Sequence, residues 1–356
     1  MDERLKQVQS GHGPLRLPAF LPDGTMGVVR GLGPADLKEV GIEGFMVNTL
    51  HLWNRPGISL IESLGGIHSF TGWGGPIASD SGGFQMHSLI RRGRVSSEGF
   101  VYKPDGGKKR RLTPETCIQK QFQLGADIMF CLDHCTHPDE DTRAQTESVE
   151  RTVAWSRRCR AEFNRLLDSG AGGTQRPLLF GVVHGGKDRA LRLRCAESLF
   201  EIGFDGYGFG GWPIDKDGRL LDIAGFVAEQ IPEGHPTHGL GIGNPDNLMK
   251  AHRFGYDLFD CVMPTRDARQ GRLYTLEIDW DGFGSQSEDF WRYLYIGDER
   301  FARDGLPVDE RCDCPCCSQF TRGYLHHLFK VKESLGKRLA TLHNLRFYAK
   351  MMERLR

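Results

Sequence analysis

The chain has 356 residues, with 46 Lys and Arg balanced by 46 Asp and Glu. A net charge of zero excludes any global electrostatic signal for a polyanionic partner, so any nucleic-acid contact would have to come from a local basic patch. With 39% hydrophobic and 26% charged residues, this is an ordinary globular composition, long enough for one large α/β domain with an appendage or for two domains.

Met1-Asp2-Glu3-Arg4-Leu5-Lys6 has no apolar run behind it, and no later stretch is long and apolar enough to span a bilayer. A signal peptide and a membrane partner are therefore not expected, and a cytoplasmic location is. From about residue 40 to 265, short β-rich runs alternate with helical patterns. Strands are predicted over 44–49, 77–81, 127–133, 178–184, 205–210, 238–243 and 258–263. Helices are predicted over 113–124, 140–167, 188–202 and 245–254. Alternation this regular means a parallel sheet, and its count favours a closed (β/α)8 TIM-like barrel. Nearly every strand ends in an unusual group: Asp80-Ser81, Asp133, His184, Gly210-Gly211, Gly241 and Asp260. A barrel would gather those carboxyl ends on one face, where such folds keep their active sites.

Residues 91–112 read as an inserted hairpin turning at Lys103-Pro104-Asp105-Gly106-Gly107. Beyond Gly271 the alternation fades. The expected division is residues 1–271 for the main part of the barrel and 272–356 for a zinc-binding subdomain with a terminal helix. That helix, over 333–355, carries Leu335, Leu339, Leu342, Leu345 and Met352 at helical spacing, as an amphipathic helix packed on the barrel would.

Six of the ten cysteines are scattered singly and read as buried thiols. Cys312, Cys314, Cys316 and Cys317 are crowded into one tight loop. Cys312-x-Cys314-x-x-Cys317 supplies three soft thiolates suited to zinc, and His343 is the best fourth ligand, because it would staple the terminal helix to the loop. His326 and His327 are nearer in sequence but read as packing or capping residues, and Cys316 is a spare. Three cysteines and a histidine fill a tetrahedral shell, so one structural zinc per chain is expected.

Asp80 precedes a glycine turn, and Asp260 stands in a later strand end, Leu258-Phe259-Asp260-Cys261-Val262-Met263-Pro264-Thr265-Arg266. Two carboxylates facing one cavity suit double-displacement glycosyl chemistry, although an Asp at a strand end also commonly caps a loop. Taken with its longer motifs, the chain resembles the tRNA-guanine transglycosylases from about residue 15 to the C-terminus. The likeness rests on Asp80-Ser81-Gly82-Gly83-Phe84-Gln85, Phe259 to Arg266 and the cysteine–histidine set. It extends to Asn48-Thr49-x-His51-Leu52 with Arg55-Pro56-Gly57, Leu64-Gly65-Gly66-x-His68-Ser69-Phe70, and Gly203-Phe204-Asp205-Gly206-Tyr207.

The resemblance implies an enzyme that replaces guanine at the wobble position of a tRNA anticodon loop with a free 7-deazaguanine base, preQ1 or queuine. By position, Asp260 would be the nucleophile and Asp80 the general acid/base, and Asp133 would read the guanine edge. Phe84 would stack on the base, and Gly210 and Gly211 would let backbone approach it. Ser81, Gly82, Gly83, His184 and Leu240 fall in the same base-binding segments. Gly241 to Asn247, with Gly243 and Asn244, and Thr265 to Arg269, with Arg266 and Arg269, match segments that hold RNA. The family also implies a homodimer.

The chain departs from the family where the base would sit. Trp212-Pro213-Ile214-Asp215-Lys216 replaces a Leu-Ala-Val-Gly-Glu pattern, and His184 replaces a glutamine. Pro213 should stiffen that wall and Trp212 and Ile214 should add bulk, which favours a small incoming base. Other readings are a paralogue acting on a different deazaguanine or nucleic acid, a non-catalytic tRNA-binding accessory subunit, a barrel glycoside hydrolase, and a zinc-ribbon RNA-binding module. The accessory subunit should have lost the Asp80 or Asp260 motif; the hydrolase needs no zinc loop; the ribbon leaves the strand-end acids unexplained.

Overall fold

A computed structural model describes residues 5–88, 94–104, 107, 109–171, 176–280, 283 and 290–356. Eight strands build its centre: β1 (Ala19–Pro22), β2 (Phe45–Asn48), β3 (Ile77–Asp80), β4 (Ile128–Phe130), β5 (Leu178–Val183), β6 (Gly206–Phe209), β7 (Thr237–Leu240) and β8 (Leu258–Cys261). All pair in parallel and in chain order from β2 to β8, and β8 pairs with β1. The ring closes between β1 and β2, where Asp23 bridges Met46 and the Gly24 N–H donates to the Met46 carbonyl at 2.7 Å. This is the expected barrel. Six strands fall inside the predicted spans and β7 starts one residue ahead of its span, while β1 lies upstream of the region where alternation is legible, because Ala-Phe-Leu-Pro is too short to show a period.

The strands are almost wholly buried, which is why they read as continuous apolar or small runs. Leu21, Met46, Ala78, Ile128, Phe130, Phe180, Val182 and Leu258 form one buried cluster drawn from six strands. Gly206 stands opposite Phe180 in the β5–β6 register, and a Cβ there would lie 2.5 Å from the ring. Return helices start from side-chain caps close behind the strand ends, with Thr113, Asp141, Asp188 and Asn244 accepting first-turn N–H groups. Among the described residues no helix is long and apolar enough to cross a membrane.

The inserted segment has one strand more than the expected hairpin. Arg94–Ser96, Gly99–Tyr102 and Arg110–Leu112 form an antiparallel meander, held to the helix Thr142–Asp168 by Trp155 Nε1 donating to the Ser97 carbonyl at 2.7 Å. Residues 91–93 and, in the predicted turn, Asp105 and Gly106 lie outside the described residues. The terminal helix Ser334–Leu355 is also more deeply packed than an amphipathic surface helix. Thr341, His343 and Asn344 are buried along with its leucines, because the helix runs between the barrel and the cysteine loop.

At the opposite end an N-terminal hairpin, Gln7–Ser10 with Gly13–Arg16, is clasped by the buried Asp127 just before β4. Asp127 Oδ1 accepts from the His12 N–H at 3.1 Å and faces His12 Nδ1 at 2.9 Å. Its Oδ2 accepts the Ile77 N–H at 2.8 Å and lies 3.1 Å from His68 Nε2, with the two imidazoles stacked at 3.4 Å. These partners hold the Asp127 carboxyl below its ordinary range despite its burial. Asp127→Ala should therefore lower stability by roughly 2–4 kcal/mol, since it leaves several donors unpaired at once. Thermal unfolding reads this, and an unchanged midpoint would show that the clasp carries no load.

Candidate active site and metal centre

The carboxyl ends of the strands converge on one mouth, and the three expected acids meet there. Asp80 ends β3 and accepts from Asn48 Nδ2 at 2.9 Å and from the Gly82 N–H at 3.3 Å. Burial and the neighbouring Asp133 push its carboxyl up to about 6, with a smaller push from Asp260, against the pull of the Gln85 amide and the Gly82 N–H. An acid held there can give up and recover a proton near neutrality.

Asp133 follows β4 and is nearly buried. Ser81 Oγ donates to its Oδ1 at 3.1 Å, and His184 Nε2 lies 2.8 Å from its Oδ2. The turn after Asp80 closes directly over it: Gly82 adopts φ 89°, and a Cβ on Gly83 would come within 2.4 Å of Asp133 Oδ1. His184 lies behind Asp133, with its ring against Gly210, where a Cβ would meet Nε2 at 2.4 Å. Beneath this pair the buried Arg192 donates to the carbonyls of Val183, Gly186 and Gly210, its guanidinium 4.1 Å from the centre of the Phe209 ring. Burial lowers that guanidinium to about 10. Arg192 ties the ends of β5 and β6 together. It sits inside a predicted helix, where one basic residue looks like any solvated one.

Asp260 stands on β8 opposite Leu240 of β7. Its Oδ1 accepts the Gly241 N–H at 3.2 Å and lies 3.0 Å from Nε2 of the fully buried His238. Sequence reading did not single out His238. Its signal was a histidine two residues before Leu240 on a barrel strand, hence on the same face.

Aromatic rings rim the mouth. Phe84, 40% exposed, lies 5.2 Å from Trp212, which lies 5.1 Å from His137. The segment behind Trp212 folds back on itself through an Ile214–Leu220 bridge. Gly243 packs on Cys261, its carbonyl accepting from Tyr348 Oη, and the Asn244 side chain is engaged as the cap of Pro245–Phe254. The helix Met263–Arg269 follows Asp260, with Arg266 exposed and Arg269 half-buried. Arg269 Nη1 is buried without a partner among the described residues, and burial and the nearby Arg30 lower its pKa. Arg30, Arg269, Lys337 and Arg338 line one cavity of about 370 Å³. Of these four cations Arg338 is paired with Asp36, so the cavity gathers positive charge locally on a chain whose net charge is zero.

Cys312, Cys314, Cys317 and His343 bring their ligand atoms within 4.8 Å of one another, with Cys316 outside the set. His343 Nδ1 lies 3.2 Å from Cys317 Sγ and 3.7 Å from Cys314 Sγ. His343 Nε2 faces the Tyr274 carbonyl at 2.7 Å and must carry the proton there, which leaves the Nδ1 lone pair turned toward the sulfurs. That donor set fits a tetrahedral zinc. His326 instead bonds the Ile296 carbonyl at 2.8 Å, as a packing residue does.

The queuine tRNA-ribosyltransferase family model matches residues 1–356. A queuine tRNA-ribosyltransferase of Psychrobacter sp. (strain PRwf-1) is 39% identical over 352 residues, covering 98% of this chain and 88% of that protein. Proteins of the same name from Methylacidiphilum infernorum (isolate V4) and Francisella tularensis subsp. novicida (strain U112) are each 39% identical. They align over 359 and 355 residues respectively, covering 99% of this chain and 90% of each relative.

Two outcomes follow from this geometry. Zinc analysis should give about one ion per chain, lost in Cys317→Ser and kept in Cys316→Ser, with loss destabilising the C-terminal region; the reverse pattern would overturn the ligand set. For Asp80, a folded-state value near 6 against an ordinary 3.8 means that the folded state holds this proton more tightly than the unfolded chain. Its stabilising contribution is full below 3.8 and is lost as pH rises through about 6. Asp80→Asn should thus stabilise the fold by roughly 1–3 kcal/mol at pH 8 and by little at pH 4. Melting curves at the two pH values check the sign.

Proposed function

Since the chain belongs to the queuine tRNA-ribosyltransferase family, we propose that it exchanges guanine for a free 7-deazaguanine base at the wobble position of a tRNA anticodon loop, through a covalent RNA–enzyme intermediate on Asp260. The observation that carries this reading is the meeting of three carboxylates at one barrel mouth, with Asp80 poised near 6 beside Asp260. The relatives' name supports the substrate class, and the basic cavity around Arg269 supports a phosphate backbone as partner.

The target nucleotide is flipped from its stack into the mouth, where Phe84 offers a face to the base. Asp133, already held by Ser81 and His184, keeps lone pairs for the donors on the guanine edge, so His184 acts through Asp133 by orienting it. Asp260 attacks C1′ as the C1′–N9 bond breaks, and the electron pair leaves with guanine, which takes its proton from Asp80. The incoming base gives its N9 proton to Asp80 and displaces Asp260, so two inversions give net retention. Gly210 and Gly211 keep the wall close to the base, Leu240 packs beside the nucleophile, and Gly241, Gly243, Asn244, Arg266 and Arg269 position the RNA.

Zinc held by Cys312, Cys314, Cys317 and His343 would supply structure and no chemistry. The same reading divides the chain at residue 271 into barrel and zinc-binding subdomain, and includes a cytoplasmic homodimer. For the incoming base, the Phe84–Trp212–His137 rim and the stiff Trp212-Pro213-Ile214 wall favour a small deazaguanine such as preQ1 over the bulkier queuine.

Asp260→Asn should abolish exchange while leaving fold and tRNA binding near normal, because the amide is nearly isosteric but a poor nucleophile. Guanine-labelled tRNA incubated with each base, followed by a denaturing gel for retained RNA, reads both points. Exchange surviving in Asp260→Asn would remove the nucleophile from that position. Label displaced faster by queuine than by preQ1 would show that the departures open the pocket.

A further inference from the structure

His238 and Asp260 form a pair that the proposed mechanism leaves unused. His238 opposes Leu258 in the β7–β8 register, so Asp260, two residues further along β8, is its diagonal neighbour on the same face. The imidazole spans that diagonal, placing Nε2 3.0 Å from Asp260 Oδ1. Its other nitrogen is buried with no partner among the described residues, and the Phe130 ring stands edge-on 5.3 Å away. An N–H stranded in that setting would be costly, so the proton belongs on Nε2 and the ring is a donor to the carboxylate. The Gly241 N–H reaches the same oxygen at 3.2 Å. Oδ1 therefore carries two donors, and Oδ2 has no partner among the described residues.

We propose that His238 is a positioning residue for Asp260, holding Oδ1 together with the Gly241 N–H so that Oδ2 is the atom that bonds C1′ and the returning carboxylate is stabilised when it is expelled. The inference rests on Asp260 being the nucleophile. In the first displacement an Oδ2 lone pair forms the C1′–O bond while C1′–N9 breaks; Oδ1 becomes the carbonyl oxygen of the glycosyl ester and keeps both N–H contacts. In the second, N9 of the incoming base forms the new bond and passes its proton to Asp80. The C1′–Oδ2 pair returns to the carboxylate, and the negative charge falls on a group already bearing two donors. Hydrogen bonds to charge strengthen as that charge develops, so the second displacement depends most on His238.

The test compares His238→Phe, which removes the donor, with His238→Gln, whose amide nitrogen can stand where Nε2 does, and His238→Asn, whose amide cannot reach. The covalent complex is isolated and its discharge by added guanine is timed. Loss of the donor in the Phe and Asn variants should slow discharge by about ten- to a hundredfold, with adduct accumulating at steady state and kcat/KM for tRNA unchanged. The Gln variant should recover most of the rate. Discharge at the wild-type rate in the Phe variant, or in the Asn variant should the Phe variant not fold, would reduce His238 to packing. So would equal loss in the Gln and Asn variants. Asp260→Asn run alongside separates the two claims: adduct from that variant sinks the nucleophile assignment, whereas its absence beside full-rate discharge in the His238 variants sinks only this inference.

Discussion

Three carboxylates share one barrel mouth, and the site is built around making that tolerable. Like charges in a partly dry cavity repel, and each would be neutralised or expelled without its own donors. Asp133 has Ser81 and His184, Asp260 has Gly241 and His238, and Asp80 has Asn48 and Gly82. Asp80 nevertheless carries the strain as a raised pKa, and that makes it useful: the group least able to stay charged is the one suited to trading protons. The glycines follow from the same crowding. Gly83 lies against Asp133, Gly210 lies against His184, and Gly241, at φ 75°, turns its N–H onto Asp260.

The C-terminal helix connects this mouth to the metal centre. His343 points its Nε2 proton at the Tyr274 carbonyl, and the Tyr274 hydroxyl donates to the buried Asp267 at 2.7 Å. Asp267 also receives Tyr293 Oη at 2.9 Å and pairs with Arg272 at 2.6 Å. One residue along, Asn344 donates to the carbonyls of Pro264 and Arg272, each at 3.0 Å. A turn later Tyr348 holds the Gly243 carbonyl. The segment carrying Arg266 and Arg269 is thus braced from the helix that carries His343 of the candidate metal cluster. A metal held by this cluster would stiffen the turn after Asp260 through the same route.

The pocket's departures from its family sit at two depths. His184 is buried behind Asp133 with Arg192 beneath, so it acts on that carboxylate. Trp212 is half-buried among other rings at the rim.

The barrel, the three acids and the Cys/His cluster were legible in the sequence because each leaves a local mark. Buried parallel strands read as short apolar runs, strand-end acids stand out against them, and Cys312-x-Cys314-x-x-Cys317 is compact. β1 was not legible, since four residues carry no period, and its place was decided by ring closure between Asp23 and Met46. Arg192, His238, Asp267 and Asn344 were equally silent. Each is a single polar residue whose meaning depends on a partner brought near by the barrel or the terminal helix, across 7 to 80 residues of chain. The sequence by itself determined which chemical groups the protein possesses and the order in which the strands deliver them. Only the tertiary structure decided which oxygen of Asp260 is held and which has no partner among the described residues, because that depends on a diagonal across two neighbouring strands that no spacing along the chain encodes.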